Sequence, residues 1–115
     1  MNEKDFLQAV IDLAHLKGWL VAHFRPARTE KGWRTAIQGD KGFPDLVMIR
    51  ANGDAHLIIA ELKSEKGNVT DEQQEWLDMF AELQEDIELQ GKLTEVVRVF
   101  VWRPSDWEAI VDILS

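Results

Sequence analysis

The hydrophobic positions of this chain change period several times, and each change marks an element. From Asp5 to Lys17 the apolar residues fall at 6, 7, 10, 11, 13, 14 and 16, the spacing of one helix face, and Gly18 stands where a helix terminates. Trp19 to Phe24 is rich in apolar and β-forming residues and predicts a strand. Arg25 to Gly42 is polar and holds Pro26, Gly32, Gly39 and Gly42, which predicts a long loop of the functional kind. Phe43 to Arg50 predicts a strand entered through Pro44, and Ala51 to Asp54 a hairpin turn. His56 to Lys63 then returns antiparallel, its near-continuous apolar run marking a central strand buried on both faces.

A second helix is expected from Thr70 to about Gln90. Thr70 and Gln73 have capping-box spacing, and Trp76, Leu77, Phe80, Leu83 and Ile87 keep the helical period. Val96 to Trp102 predicts another strand. Pro104 and Ser105 open a final helix, with Ser105 and Glu108 as a capping box and Trp107, Ile110, Val111 and Leu114 facing inward. The expected order is helix, three strands, helix, strand, helix. This is an α/β chain of 115 residues, of a size for one domain over 1–115.

Composition narrows the chemistry. With 45 % apolar and 30 % charged residues the chain is of the globular type, and five Trp with five Phe supply a large core. The absence of Cys excludes disulfides, thiolate metal sites and cysteine nucleophiles. The charged N-terminus lacks the apolar block of a signal peptide, and no run reaches the length of a membrane span. The expected location is therefore the cytoplasm, of a bacterial or a phage-infected host cell.

The net charge of -8 argues against nucleic acid as a partner until its distribution is considered. Residues 17–50 hold seven basic groups (Lys17, Arg25, Arg28, Lys31, Arg34, Lys41, Arg50) against three acidic ones (Glu30, Asp40, Asp45). Phosphate binding follows the local field and not the total charge. Arg25, Arg28, Lys31, Arg34 and Lys41 are the candidate contacts to a DNA backbone; the alternative is a solvated basic loop. Trp33 among them is a candidate to stack or wedge at a branch point, or else packs on the domain.

Two short stretches stand apart from the scaffold: Pro44-Asp45 where one strand begins, and Glu61, Leu62 and Lys63 near the end of its hairpin partner. Side chains alternate along a strand, so Glu61 and Lys63 share a face, and the hairpin brings Asp45 to a nearly cross-strand position. Two carboxylates and an ammonium thus converge at one end of a sheet. Carboxylate oxygens hold hard divalent cations such as Mg²⁺ or Mn²⁺, and a bound cation activates water and offsets charge in phosphodiester hydrolysis. A structural ion pair is the alternative, but Glu and Lys are rarely set in an apolar strand.

The residues Gly42 to Val47, Ala60 to Ser64, Gln73 with Trp76-Leu77, and Val101 to Trp107, in this order, carry a resemblance over nearly the whole chain. The chain resembles the PD-(D/E)XK nuclease superfamily, and more closely its virus-type replication–repair nuclease (VRR-NUC) branch. The resemblance implies a restriction-endonuclease-like αβββαβ core, with a central mixed sheet flanked by helices. It also implies Mg²⁺ or Mn²⁺ dependence, DNA endonuclease activity on branched substrates such as Holliday junctions in replication, recombination or repair, and a homodimer. By the same resemblance Asp45, Glu61, Lys63 and Gln73 form the catalytic set. Asp45, Glu61, the Leu62 carbonyl and an acidic residue of the first helix hold the metal. Glu3 is the choice for the last because Leu7 and Val10 share its face, with Asp5 and Asp12 behind it; the alternative is a carboxylate favoured by the helix dipole. Gln73 alternatively does no more than close the capping box. The stretch Leu83 to Glu95 is longer than a compact member needs. Outside catalysis, the alternatives are a DNA-binding or scaffold module of the same fold, or a nuclease acting on linear DNA or RNA. His23 is a further candidate for phosphate, although a lone His is more often structural.

Overall fold

Helix α1 (Glu3–Leu16) starts two residues before the expected Asp5, because Asn2 caps it: its Oδ1 accepts the Asp5 N–H at 2.8 Å. Phe6, Val10 and Ala14, four residues apart, form its fully buried stripe. Termination is equally local. Gly18 takes φ +85°, its N–H donates to the His15 carbonyl at 3.1 Å, and the Trp19 N–H donates to the Ala14 carbonyl at 3.0 Å. That pair of bonds is a Schellman end, and the buried Trp19 supplies the hydrophobic contact that accompanies it.

This computed structural model describes residues 1–24, 27–29, 32–34, 38–51, 55–89 and 97–115; of residues 27–29, 32–34, 55, 88 and 89 it describes the main chain alone. Strand β1 (Leu20–His23) follows α1. The polar stretch after it corrects the expectation of a loop. β2 (Ala27–Thr29) and β3 (Gly32–Arg34) pair antiparallel as a separate two-stranded ribbon, with Ala27 opposite Arg34 and Thr29 opposite Gly32. A ribbon outside the main sheet needs no apolar face, so it leaves no period-two pattern to read.

Strands β4 (Leu46–Ala51) and β5 (Ala55–Leu62) pair antiparallel from Leu46 opposite Ala60 to Ala51 opposite Ala55. The register is that of the expected hairpin, whose turn residues 52–54 lie outside the described residues. β1 lies antiparallel on the far side of β4. Helix α2 (Asp71–Leu89) then crosses over, and β6 (Val97–Trp102) joins β5 in parallel, with Leu62 opposite Trp102. The sheet order is β1-β4-β5-β6, so β5 is internal, as its apolar run requires. The expected α2 end at Gln90 and the end of the long stretch to Glu95 also fall outside the described residues.

A 3₁₀ turn (Pro104–Asp106) leads into α3 (Trp107–Leu114). Its cap differs from the expected Ser105–Glu108 box: Asp106 reaches back, its Oδ2 accepting the Arg103 N–H at 2.8 Å, while the Ser105 N–H donates to the Glu65 carboxylate. Ile110 and Leu114 are buried as expected, but Trp107 is 37 % exposed. The 3₁₀ turn rotates the start of α3, so the first residue of the apolar series leaves the inward face.

The main core joins α1 and α3 to one face of the sheet: Phe6, Val10, Ala14, Ile110 and Leu114 against Leu46, Met48, Ile58, Ala60, Leu62 and Trp102. α2 packs along β6. Elements α1, β1, β4, β5, α2 and β6 form an αβββαβ core with a mixed sheet flanked by helices, a restriction-endonuclease-like fold. Among the described residues no helix is long and apolar enough to cross a membrane.

Candidate active site

Asp45 sits one residue before β4 and is held from two sides. Its carbonyl accepts the Phe24 N–H at 3.1 Å, carrying the β1–β4 ladder one residue further. Its carboxylate Oδ2 accepts the Leu62 N–H at 2.9 Å, which ties the side chain to the end of β5. The register that sets Leu46 opposite Ala60 sets Asp45 beside Glu61. Pro44, buried next to it, fixes the entry into the strand.

Glu61 is 1 % exposed, and both its carboxylate oxygens are buried with no hydrogen-bond partner. An uncompensated buried carboxylate is costly, and the group responds by holding its proton. Burial first, then the neighbouring Asp45 carboxylate, push Glu61 up to about 9 from the ordinary 4.5; Lys63 pulls the other way and Glu3 adds to the rise. The register sets Asp45 beside Glu61, so the negative charge of one carboxylate adds to the cost of ionising the other.

Lys63 follows β5 and shares the face of Glu61 by alternation. Only 9 % exposed, it has its N–H on the Trp102 carbonyl at 3.0 Å, so the β5–β6 ladder runs through it. No ion pair within 4.0 Å joins Lys63 to Asp45 or Glu61, so the structural ion pair considered as an alternative is not formed. The segment beyond is clamped by Arg103. Its Nη1 donates to the carbonyls of Ser64 at 2.6 Å and Gly67 at 2.7 Å, with a longer bond to Glu65 at 3.3 Å. Sequence reasoning missed this arginine. Its one signal was membership in the Val101 to Trp107 block, which says nothing of what the side chain touches.

Of the three first-helix carboxylates, Glu3 is the one whose charge acts on Glu61. Asp12 accepts the Gln8 side-chain N–H at 2.8 Å on the exposed surface, and Asp5 is likewise exposed. Among the described residues no group of three His, Cys, Asp or Glu stands together as a metal cage. The oxygens that converge are those of Asp45 and Glu61, with the main chain of Leu62 alongside. The two orphaned buried oxygens of Glu61, beside the Asp45 carboxylate, fit a hard divalent cation, which would complete its shell with the Leu62 carbonyl, water and a substrate oxygen.

Gln73 closes the capping box in both directions: its Oε1 accepts the Thr70 N–H at 2.9 Å, and its own N–H donates to Thr70 Oγ1 at 3.2 Å. The first turn of α2 is pressed against the chain leading to Asp45. Gly42 has φ +95°, and a Cβ there would lie 2.6 Å from the Glu72 carbonyl carbon. Trp76 Nε1 donates to the Lys41 carbonyl at 3.0 Å, and Lys41 Nζ stands 3.5 Å from Glu72, whose carboxyl is held below its ordinary value first by its own backbone N–H and then by Lys41. Phe43 packs edge-to-face on Phe24 (5.1 Å between ring centroids) and on Trp76 (5.0 Å).

Of the candidate phosphate contacts, Lys41 is exposed beside this aromatic group. Arg28 lies in β2 and Arg34 in β3, on adjoining strands of the ribbon, with Trp33 opposite Arg28. Arg25 and Lys31 lie outside the described residues. His23 is half-buried on β1, His15 is exposed, and His56 lies near the Trp19 ring at 6.3 Å, away from the carboxylates.

No curated protein was found to match the chain. A family model described as the VRR-NUC domain matches residues 10–100, a span that includes Asp45, Glu61, Lys63 and Gln73 and leaves Glu3 outside. That match covers most of the chain, with an αβββαβ core and paired carboxylates at the end of the internal strand. The chain belongs to the VRR-NUC family of nuclease domains.

Proposed function

We propose that this nuclease domain is a Mg²⁺- or Mn²⁺-dependent endonuclease. It hydrolyses phosphodiester bonds in branched DNA such as Holliday junctions, in replication, recombination or repair, and works as a homodimer of single-domain chains. The observation that carries the reading is Glu61: a carboxylate buried in an apolar strand, both oxygens without a partner, beside a second carboxylate. Groups arranged at such a cost to stability are characteristic of functional sites.

In this mechanism Asp45 and Glu61 would hold the cation, with the Leu62 carbonyl and Glu3 as further oxygen donors. When bound, the divalent cation supplies an acidified water and a positive charge facing the phosphate. Asp45 is oriented by the Leu62 N–H, so its carboxylate needs no reorganisation on binding. Lys63 Nζ donates to a non-bridging phosphate oxygen and steadies the attacking water. Water oxygen bonds to phosphorus and releases a proton to solvent as the bond to the sugar oxygen breaks, and the leaving oxygen takes up a proton from a solvent water. Gln73 stands at the first turn of α2 as a neighbour of this set. Arg25, Arg28, Lys31, Arg34 and Lys41 grip the backbone, adding salt-dependent affinity without sequence readout. A two-fold dimer presents two such sites to the two symmetric strands of a junction.

The test is cleavage of labelled junction, flap, nicked and linear DNA, and of RNA, with Mg²⁺ or Mn²⁺. The wild type is expected to cut junctions preferentially, and Asp45→Ala and Lys63→Ala to lose at least about a hundredfold in rate. Cutting that persists in EDTA, or undiminished cutting by either variant, overturns the metal-site reading. Preference for linear DNA or RNA overturns the substrate, and binding without turnover under every metal leaves a DNA-binding module.

A further inference from the structure

We infer that the aromatic cleft beside Asp45 is a receptor for one unstacked nucleobase of the substrate strand; the inference rests on the reading of the chain as a nuclease acting on DNA. The cleft has a volume of about 460 Å³ and is lined by Phe24, Gln38, Gly39, Asp40, Phe43 and Trp76. That volume lies within the range of small-molecule sites, roughly 300–1,000 Å³.

Three features point to a base. The first is placement. Phe43 precedes Asp45 by two residues, at most about 7 Å of chain. Phe24, on the other wall, is bonded through its N–H to the Asp45 carbonyl at 3.1 Å. A base attached next to a phosphodiester at the carboxylates is therefore within reach of the cleft. The second is the wall itself. Phe24, Phe43 and Trp76 are each half-buried, so their rings are partly open to solvent. The indole is held in advance by its bond to the Lys41 carbonyl and by stacking on Phe80 at 6.0 Å, so little side-chain freedom is lost when a base docks. The third is the rim. Gln38 and Asp40 place amide and carboxylate groups where a base edge presents donors and acceptors, and the exposed Lys41 adds a cation for the adjoining phosphate. Aromatic stacking accepts any base, and only a nucleotide swung out of its pair, as pairs flanking a branch allow, can enter, so the cleft reads branch structure and not sequence. The basic residues considered from sequence explain affinity for any duplex; this cleft explains preference for an unpaired position.

The test is binding by fluorescence anisotropy in EDTA, using the full chain carrying Asp45→Asn so that no DNA is cut. A junction series is compared in which single nucleotides near the branch are replaced one at a time by abasic residues. One abasic position is expected to weaken binding about tenfold or more, the range of one lost base stack. Trp76→Leu is expected to produce the same loss on the intact junction, to abolish the effect of the abasic position, and to leave binding to fully paired duplex unchanged. Trp76→Phe, which keeps a ring, is expected to retain most of the affinity. If Trp76→Leu does not fold, the abasic series on the parent chain decides by itself. A flat abasic series with intact junction binding overturns the cleft and leaves the nuclease reading standing. Equal losses on duplex and junction overturn it as well. Absence of binding to any DNA overturns both.

Discussion

Glu61 places a carboxyl group among a second carboxylate, an ammonium and the apolar side chains of an internal strand, and the pH dependence follows. Its folded pKa, about 9, lies above the unfolded value of 4.5. Between the two the folded chain keeps a proton that the unfolded chain has released, so stability from this group is present at low pH and is lost as pH rises through that window. The metal-free protein is therefore expected to melt at a lower temperature near about pH 8 than near about pH 6. Glu61→Gln removes the proton dependence and is expected to raise the metal-free melting temperature at the higher pH, on the order of 5 °C. Mn²⁺ is expected to stabilise the wild type and not the Gln variant, because the cation takes the place of the Glu61 proton. Thermal melts of both proteins, with and without metal, check this; a wild type that is most stable near pH 8 without metal contradicts it. At this scale the place of Asp45, Glu61 and Lys63 at one sheet end was legible in sequence, because a Glu inside an apolar strand, with charged residues at that strand's end and its partner's entry, breaks the pattern. Arg103 was not, because nothing local marks which carbonyls a guanidinium will reach.

Among the elements, the approach of the Gly42 segment to the first turn of α2 aligns the aromatic cleft with Asp45, and two glycines test it. Gly42→Ala meets both a positive φ and a Cβ 2.6 Å from backbone, and is expected to cost about 2–4 kcal/mol and to lower cleavage. Gly39→Ala has φ +101° but open space, and is expected to cost only the backbone part, about 1–2 kcal/mol. Urea unfolding of the two variants gives the comparison; equal costs would mean that the close approach is not tight. The β2–β3 ribbon tests the charge distribution. Arg28→Ala and Arg34→Ala are each expected to reduce the salt dependence of DNA binding by about one phosphate contact, seen as a shallower slope of log affinity against log salt. Helix caps written in adjacent residues, such as Gly18 and the Thr70–Gln73 box, were readable; the Asn2 cap, three residues ahead of the expected start at Asp5, was not. The cap of α3 was misread because Pro104 and Asp106 build a 3₁₀ turn, and the choice between Ser105 and Asp106 depends on Glu65, forty residues away, taking the Ser105 N–H.

Across the whole molecule, Arg50 joins three elements. Its Nη1 donates to the carbonyls of Lys17 at 3.0 Å and Leu114 at 2.9 Å, its Nη2 to Ser115 at 3.3 Å, and its guanidinium lies 4.4 Å from the centre of the Trp19 ring. Trp19 Nε1 donates to the same Leu114 carbonyl at 2.9 Å. β4 thereby anchors the ends of α1 and α3 against one another. Arg50→Met is expected to cost about 2 kcal/mol, measured as a lower urea midpoint, through the loss of its charged hydrogen bonds, chiefly the part-buried one to the Leu114 carbonyl. Sequence reading had counted Arg50 with the basic groups of residues 17–50; the tertiary structure turns it to the ends of two helices instead. The proposed homodimer is tested at this scale by light scattering of the purified chain, where a monomer at micromolar concentration would contradict it.

The sequence by itself determined the order of the core elements, the internal position of β5, the bounds of the first helix and the start of the second within about two residues, and the place of three charged residues at the sheet end. It did so because these follow from period, capping chemistry and alternation, all of which act over a few residues. Tertiary structure decided what depends on distant partners: the separate β2–β3 ribbon, the outward turn of Trp107, the Arg103 clamp on the segment after Lys63, and the closing of Phe24, Phe43 and Trp76 around one cleft. Above all it decided that the two oxygens of Glu61 are buried with nothing to bind. Spacing brings carboxylates together; only packing strips them of water, and that desolvation is what turns a pair of acids into a place for a cation.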